Sequence, residues 1–376
     1  MILTNARLVT RTEVVHGTIE LADGRISGIS SGASSAPGAV DLGNDFLLPG
    51  LIDLHTDALL THHAPRPGVT WPVAAALAAH DGQMATAGIT TVFDALPLGA
   101  GGEEEDDQRD RLRCAVAELH EQQHRHLRAE HFLHLRLEVS HPDTAQVFLE
   151  FAGRPLLRLI SLMDHTPGQG QFHDVERWRA RFGRFAGKTP QQMDETLRRR
   201  WETRDRCAQP NREAISAVAR ELQLPLASHD DRTADEVRDR AALGISVSEF
   251  PVTLEAAEAA RECGLRVLMG GPNLVLGGSH SGNVAVADVA ARGWLDGLSS
   301  DYVPVSMLHA AFLLAEKQGM PLPEAVALVT SAPAAMVNLA DRGAIECGLR
   351  ADLVRVRVTR DIPRAISVWR AGNRVV

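Results

Sequence analysis

The chain of 376 residues holds few cysteines, and Cys114, Cys207, Cys263 and Cys347 are scattered with no close pair. That spacing offers no disulfide framework, and reduced thiols in a cytoplasmic protein are the simplest account. No run of about 20 apolar residues is present, so no transmembrane helix and no membrane partner are expected. Met1 to Arg7 lacks a basic segment followed by an apolar stretch and does not read as a signal peptide, which again points to the cytoplasm. No long basic run stands out, and 39 Lys plus Arg against 48 Asp plus Glu leave a formal charge of −9, so nucleic acid is not an expected partner. No G-x-G-x-x-G follows an early strand, which makes a Rossmann sheet the weaker choice.

What is present suits a large α/β domain. Hydrophobic residues make up 44% and charged residues 23%, enough for a sizeable core. The length fits a TIM-type barrel of about 250 residues plus a smaller appendage. Ile2 to Val9, Val14 to Leu21 and Arg25 to Ile29 alternate like strands, with a turn at Ala22-Asp23-Gly24. Asp352 to Val358 and Ile366 to Trp369 do the same near the other end. We therefore expect a small β-sandwich domain formed by both termini, residues 1–48 and 341–376, around a barrel at 49–340.

Within the middle, apolar runs alternate with longer helical stretches. The expected strands are Leu51 to Leu54, Thr90 to Asp94, Phe132 to Val139, Leu157 to Met163, Leu224 to Ser228, Ser246 to Phe250, Arg266 to Met269 and Gly297 to Ser300. Strand-then-helix repetition on this scale implies a parallel (β/α)8 barrel. Glu103 to Glu130 and Asp174 to Leu222 are polar and helix-like; the second reads as an insertion, either a lid, an oligomer contact or a solvated helical pair. A homo-oligomer is compatible with it.

Strand ends carry the candidate chemistry. His55 and Asp57 follow the first barrel strand, Glu138 ends the third, His165 the fourth, His229 the fifth and Asp301 the eighth. Residues two apart on a strand point the same way, so His55 and Asp57 can reach one ion. Imidazole and carboxylate ligands suit Zn²⁺ first, with Mn²⁺ or Fe²⁺ as alternatives. Two ions about 3.5–4 Å apart can share a carboxylate, and Glu138 is the expected bridge. Asp301 is both an expected ligand and the expected catalytic proton acceptor. His120 and His124, with His126, His131 and His134 nearby, are expected on an exposed helical face, and His62 and His63 either line the site or face solvent.

Two segments suit anions. Gly277-Gly-Ser-His-Ser-Gly-Asn283 offers backbone N–H groups and the donors of Ser279, His280, Ser281 and Asn283, but lacks the Gly-Lys-Ser/Thr ending of a P-loop. In Ala64-Pro-Arg-Pro-Gly68, two prolines stiffen the chain around Arg66, whose fork matches phosphate.

Leu47 to Asp57 resembles the first-strand motif of the amidohydrolase superfamily, with His-Thr-Asp in place of the common His-x-His. Within it, Pro65-Arg-Pro67, His80-Asp81, Ser161-Leu-Met-Asp-His165, Gln209-Pro-Asn-Arg212, Ala227-Ser-His-Asp-Asp231, Glu249-Phe-Pro251, Gly277 to Asn283 and Ser299-Ser-Asp-Tyr302 resemble the ribose 1-methylphosphonate 5-triphosphate diphosphatase family of the carbon–phosphorus lyase pathway. The resemblance implies attack of water on the α-phosphorus of a phosphorylated sugar phosphonate, releasing the 5-phosphate and diphosphate. Many superfamily members place a His where Glu249 stands, so His165 and His229 are expected to serve the second ion, with Glu249 a further ligand or a partner of one. Two alternatives are a hydrolase of C–N bonds, such as a cyclic amidase or deaminase, and a non-catalytic assembly partner.

Overall fold

The structure is a computed structural model that describes residues 1–99, 105–123, 126–279 and 282–376. His124, His280 and Ser281, together with Glu103 and Glu104 of the acidic run, lie outside the described residues.

Strands β1 (Ile2–Val9), β2 (Val14–Ala22), β3 (Arg25–Ser31), β4 (Val40–Asp41) and β5 (Phe46–Pro49) open the chain. The barrel strands follow: β6 (Leu51–Thr56), β7 (Ile89–Leu98), β8 (Glu130–Glu138), β9 (Leu157–Met163), β10 (Leu226–His229), β11 (Val247–Glu249), β12 (Arg266–Gly270) and β13 (Gly297–Ser299). The chain ends with β14 (Leu353–Thr359), β15 (Ile362–Arg370) and β16 (Asn373–Arg374). Both chain ends pair into one hydrogen-bonded sheet in the order β16-β15-β14-β5-β1-β2-β3. This sheet curls around its own apolar core, in which Leu3, Leu8, Ile19, Ile26, Leu47, Leu353 and Trp369 meet. The expected β domain of both termini is thus built from one hydrogen-bonded path of strands.

The eight barrel strands run parallel in sequence order, as their apolar runs predict. Their neighbours are joined by helices that pack Leu77, Met84, Leu112, Val116 and Leu119 against the outer faces. Inside, Ile52, Leu54, Phe93, Phe132, Leu159, Val247 and Leu268 fill the floor. Burying a side chain of this size is worth roughly 1.5–3 kcal/mol. Gly50 marks the passage between sheet and barrel, where a Cβ would come within 2.2 Å of Thr90 Oγ1.

The seam between β13 and β6 closes in two ways. At the floor, the Leu328 and Val329 carbonyls accept from Leu298 N at 2.8 Å and Ile52 N at 2.9 Å. At the mouth, Asp301 N donates to the His55 carbonyl at 2.9 Å and Asp57 N to the Asp301 carbonyl at 2.8 Å. Closing the barrel therefore brings Asp301 to His55 and Asp57.

The 174–222 stretch forms helices Val175–Ala186 and Pro190–Glu221. Thr189 and Gln192 form a reciprocal capping box that starts the long helix. From its middle onward it grips the barrel mouth: Arg204 and Arg212 bind Asp164 at 2.9 and 3.0 Å, and Asn211 donates to the Val139 and His141 carbonyls. Its middle and C-terminal parts thus brace the loops after β8 and β9.

Candidate metal centre

The alternation of β8 builds one wall of the site. Phe132, His134, Arg136 and Glu138 lie two apart and share the inward face, from apolar floor to polar mouth. His134 uses both ring nitrogens, Nδ1 with the Leu54 carbonyl at 2.9 Å and Nε2 with Ser161 Oγ at 3.0 Å. Burial pushes its pKa down to about 3, so it stays neutral. The reading of His131 and His134 as an exposed helical face is corrected: both are fully buried on β8, because the helix ends before the strand begins. His120 and His126 are exposed.

Glu249, fully buried at the end of β11, organises two histidines. Its Oε1 lies 2.8 Å from His55 Nδ1 and its Oε2 lies 2.7 Å from His229 Nδ1. A carboxylate on Nδ1 fixes each ring and leaves Nε2 as the ligating atom. Burial works against the charged ring of His55, but the Glu249 and Asp57 carboxylates together outweigh it and push the pKa up to about 10.

Two donor groups result. In the first, His55 Nε2 lies 3.7 Å from Asp57 Oδ1, and Asp301 completes the set. In the second, Asp230 Oδ2 lies 3.6 Å from His229 Nε2 and 3.8 Å from His165 Nε2. Asp230 Oδ2 and His165 Nε2 are buried without a hydrogen-bond partner. Two ligands of one tetrahedral Zn²⁺ stand roughly 3.4 Å apart. The spacing, the nitrogen–oxygen donor set and the orphaned atoms fit a divalent ion.

Backbone strain aims these side chains. Asp230, Phe250 and Asp301 follow β10, β11 and β13 with φ of 59°, 56° and 54°. Non-glycine residues rarely adopt this region, and such positions cluster at functional sites. Burial raises the Asp301 pKa, which favours a carboxyl able to take up a proton.

Glu138, the expected bridge, meets His165 and Ser140. Its oxygens accept from His165 N at 3.1 Å and from Ser140 Oγ at 2.6 Å, and His165 Nδ1 lies 3.3 Å away. These contacts set it against His165 of the second group. Sequence reasoning missed Asp230, although Ser-His-Asp-Asp was already singled out as a motif.

A cleft of about 510 Å³ opens above the groups, lined by His55, Asp57, Arg136, His229, Asp230 and Asp301 and also by Gln171, Ser279, Asn283 and Tyr302. The glycine-rich loop reaches it because Asn273 pins both sides: Nδ2 donates to the Val284 carbonyl and Oδ1 accepts from Val286 N, each at 3.0 Å. Arg66 is exposed in the turn before Val69 and does not line this cleft. His62 and His63 bond instead to Gln83 and to the Trp71 carbonyl.

A curated relative is the alpha-D-ribose 1-methylphosphonate 5-triphosphate diphosphatase of Escherichia coli (strain K12), 45% identical over 381 aligned positions that cover 100% of both chains. The chain belongs to this diphosphatase family. No family model matches it. Among solved structures, N-acetyl-D-glucosamine-6-phosphate deacetylase from Mycobacterium smegmatis has a TM-score of 0.67 at 19% identity, covering 100% of both chains. The 5-methylcytosine deaminase from Klebsiella pneumoniae has a TM-score of 0.67 at 13% identity, covering 100% of this chain and 98% of its own. At these identities the likeness shows the fold alone. The chain is thus a hydrolase of the amidohydrolase superfamily with donor groups suited to metal. Among the described residues, no helix is long and apolar enough to cross a membrane.

Proposed function

We propose that this diphosphatase family member hydrolyses alpha-D-ribose 1-methylphosphonate 5-triphosphate to the 5-phosphate and diphosphate, as a step in phosphonate catabolism. The observation that carries the reading is the 45% identity along the whole of both chains. Divalent ions, Zn²⁺ first and Mn²⁺ or Fe²⁺ next, supply Lewis acidity and lower the pKa of water from about 15.7 toward 7. His55, Asp57 and Asp301 would hold one and His165, His229 and Asp230 the other.

The remaining work falls to this chain's side chains. Water attacks the α-phosphorus, the bond from that phosphorus to the bridging oxygen breaks, and diphosphate leaves. Asp301 takes the proton of the attacking water. Glu249 keeps the two rings aimed, and Glu138 positions His165. Ser279 and Asn283 donate to phosphoryl oxygens from the cleft rim, with His280 and Ser281 of the same loop as further donors to the polyphosphate.

Phosphorus NMR on metal-replete protein with this substrate tests the reading. Diphosphate should appear, stop on chelation, and slow by about 10²–10⁴-fold in Asp301→Asn. No turnover with metal demonstrably bound would reject the substrate and direct attention to cyclic amides and other C–N bonds.

A further inference from the structure

Arg136 stands where a ligand shared by both groups would stand. Its side chain is 12% exposed. One terminal nitrogen donates to Asp57 Oδ1 at 2.9 Å, and the other lies 3.3 Å from His229 Nε2. Asp57 belongs to the first donor group and His229 to the second. The guanidinium therefore holds one donor atom of each, while its Nε is buried without a partner.

The two holds differ in strength. The contact to Asp57 is a charge-assisted bond between a permanent cation and a carboxylate. The contact to His229 is longer and engages a ring whose Nδ1 already faces Glu249. An ion entering the second group must displace only that contact, and it finds His165 Nε2 and Asp230 Oδ2 unpartnered. An ion entering the first group must share Asp57 with a permanent positive charge already bonded to it. A guanidinium cannot shed its proton to make room.

We propose that Arg136 is an internal cation that makes the two groups unequal. His165, His229 and Asp230 bind a divalent ion tightly, whereas His55, Asp57 and Asp301 bind a second one weakly because Arg136 already neutralises Asp57. This rests on the metal-centre reading above and sets its stoichiometry.

Equilibrium dialysis of the metal-free, full-length chain against Zn²⁺, with bound metal counted by atomic emission, tests it. The wild type should fill one site and need at least tenfold more free Zn²⁺ for the second. Arg136→Met should bring the two affinities together, and Arg136→Lys should keep them apart. Asp230→Asn should abolish the tight ion, and Asp57→Asn only the weak one. Two equally tight ions in the wild type would overturn the proposal whether or not the Met variant folds. So would an Arg136→Met chain that folds and retains the gap, or a reversal of the two Asp variants. The measurement uses no substrate. A chain that binds metal in this order yet releases no diphosphate would sink the proposed reaction and leave this inference standing.

Discussion

The barrel contains two buried networks of histidine and carboxylate, and they are finished differently. At the mouth, Glu249 occupies the Nδ1 atoms of His55 and His229, and their Nε2 atoms face a cleft. In the wall between β7, β8 and the helix Val73–Thr86, Asp94 bridges His80 at 2.6 Å and His131 at 2.8 Å. His131 Nε2 lies 3.4 Å from Asp81, which also accepts from Arg128 and from the backbone of Arg128 and Ala129. Arg128, Asp81, His131 and Asp94 alternate in sign, so each charge in the row faces an opposite one. The wall too is a group able to hold a metal by residue type and spacing. The mouth differs in that His55, Asp57, His229, Asp230 and Asp301 line a cleft, whereas His80, Asp94 and His131 do not. Residue types nominate a site; an adjoining cleft lined by those residues distinguishes it.

Breaking the wall should give the largest effect on stability. Asp94→Asn takes from the buried His131 and His80 the carboxylate that they share and leaves a neutral amide in its place. Removing one partner of a buried pair costs about 3–5 kcal/mol. Chemical denaturation should show that loss, while Zn²⁺ binding at the mouth stays at the wild-type value. Weakened Zn²⁺ binding in this variant would mean that the two networks are coupled.

Glu249→Gln probes the mouth in the same way and should act on metal instead. An amide cannot accept from two ring N–H groups as a carboxylate does, so at least one ring loses its orientation. Partners of this kind are worth about 10–100-fold in metal affinity. Dialysis should find that drop, and a drop under about threefold would assign the ring positions to packing against Phe250 instead.

Much of this contrast was legible in the sequence. The eight strands showed because each apolar run stops at a polar residue, and His55, Asp57, His165, His229 and Asp301 showed because they sit at those stops. Asp230 did not, since alternation points the residue after His229 away from the barrel interior; its φ of 59° turns it back. Arg136 was hidden inside an apolar run. The alternation His-Leu-Arg-Leu-Glu over 134–138 was the available signal, because it sets three polar groups on one face. His131 was drawn into a polar stretch by its neighbours in sequence, while its partners Asp81 and Asp94 are supplied by other elements. Arg66 looked right locally, yet nothing local told where its turn would lie relative to the cleft.

The smallest expected effect separates the networks by pH. Burial disfavours the charged form of His131, but Asp94 and Asp81 outweigh it and push the pKa up to about 9. An unfolded histidine titrates near 6.5. A group whose pKa is raised by folding stabilises fully below its unfolded value, and that stability is lost as pH rises through the folded value. Between about pH 7 and pH 10 the wild type should therefore lose roughly 2–3 kcal/mol, less than Asp94→Asn loses. Asp94→Asn should flatten this alkaline slope, since its His131 no longer gains from a second carboxylate. Glu249→Gln should leave the slope intact when compared with wild type at saturating Zn²⁺. A slope that survives in Asp94→Asn and disappears in Glu249→Gln would place the titrating group at the mouth and reverse the assignment of the two networks.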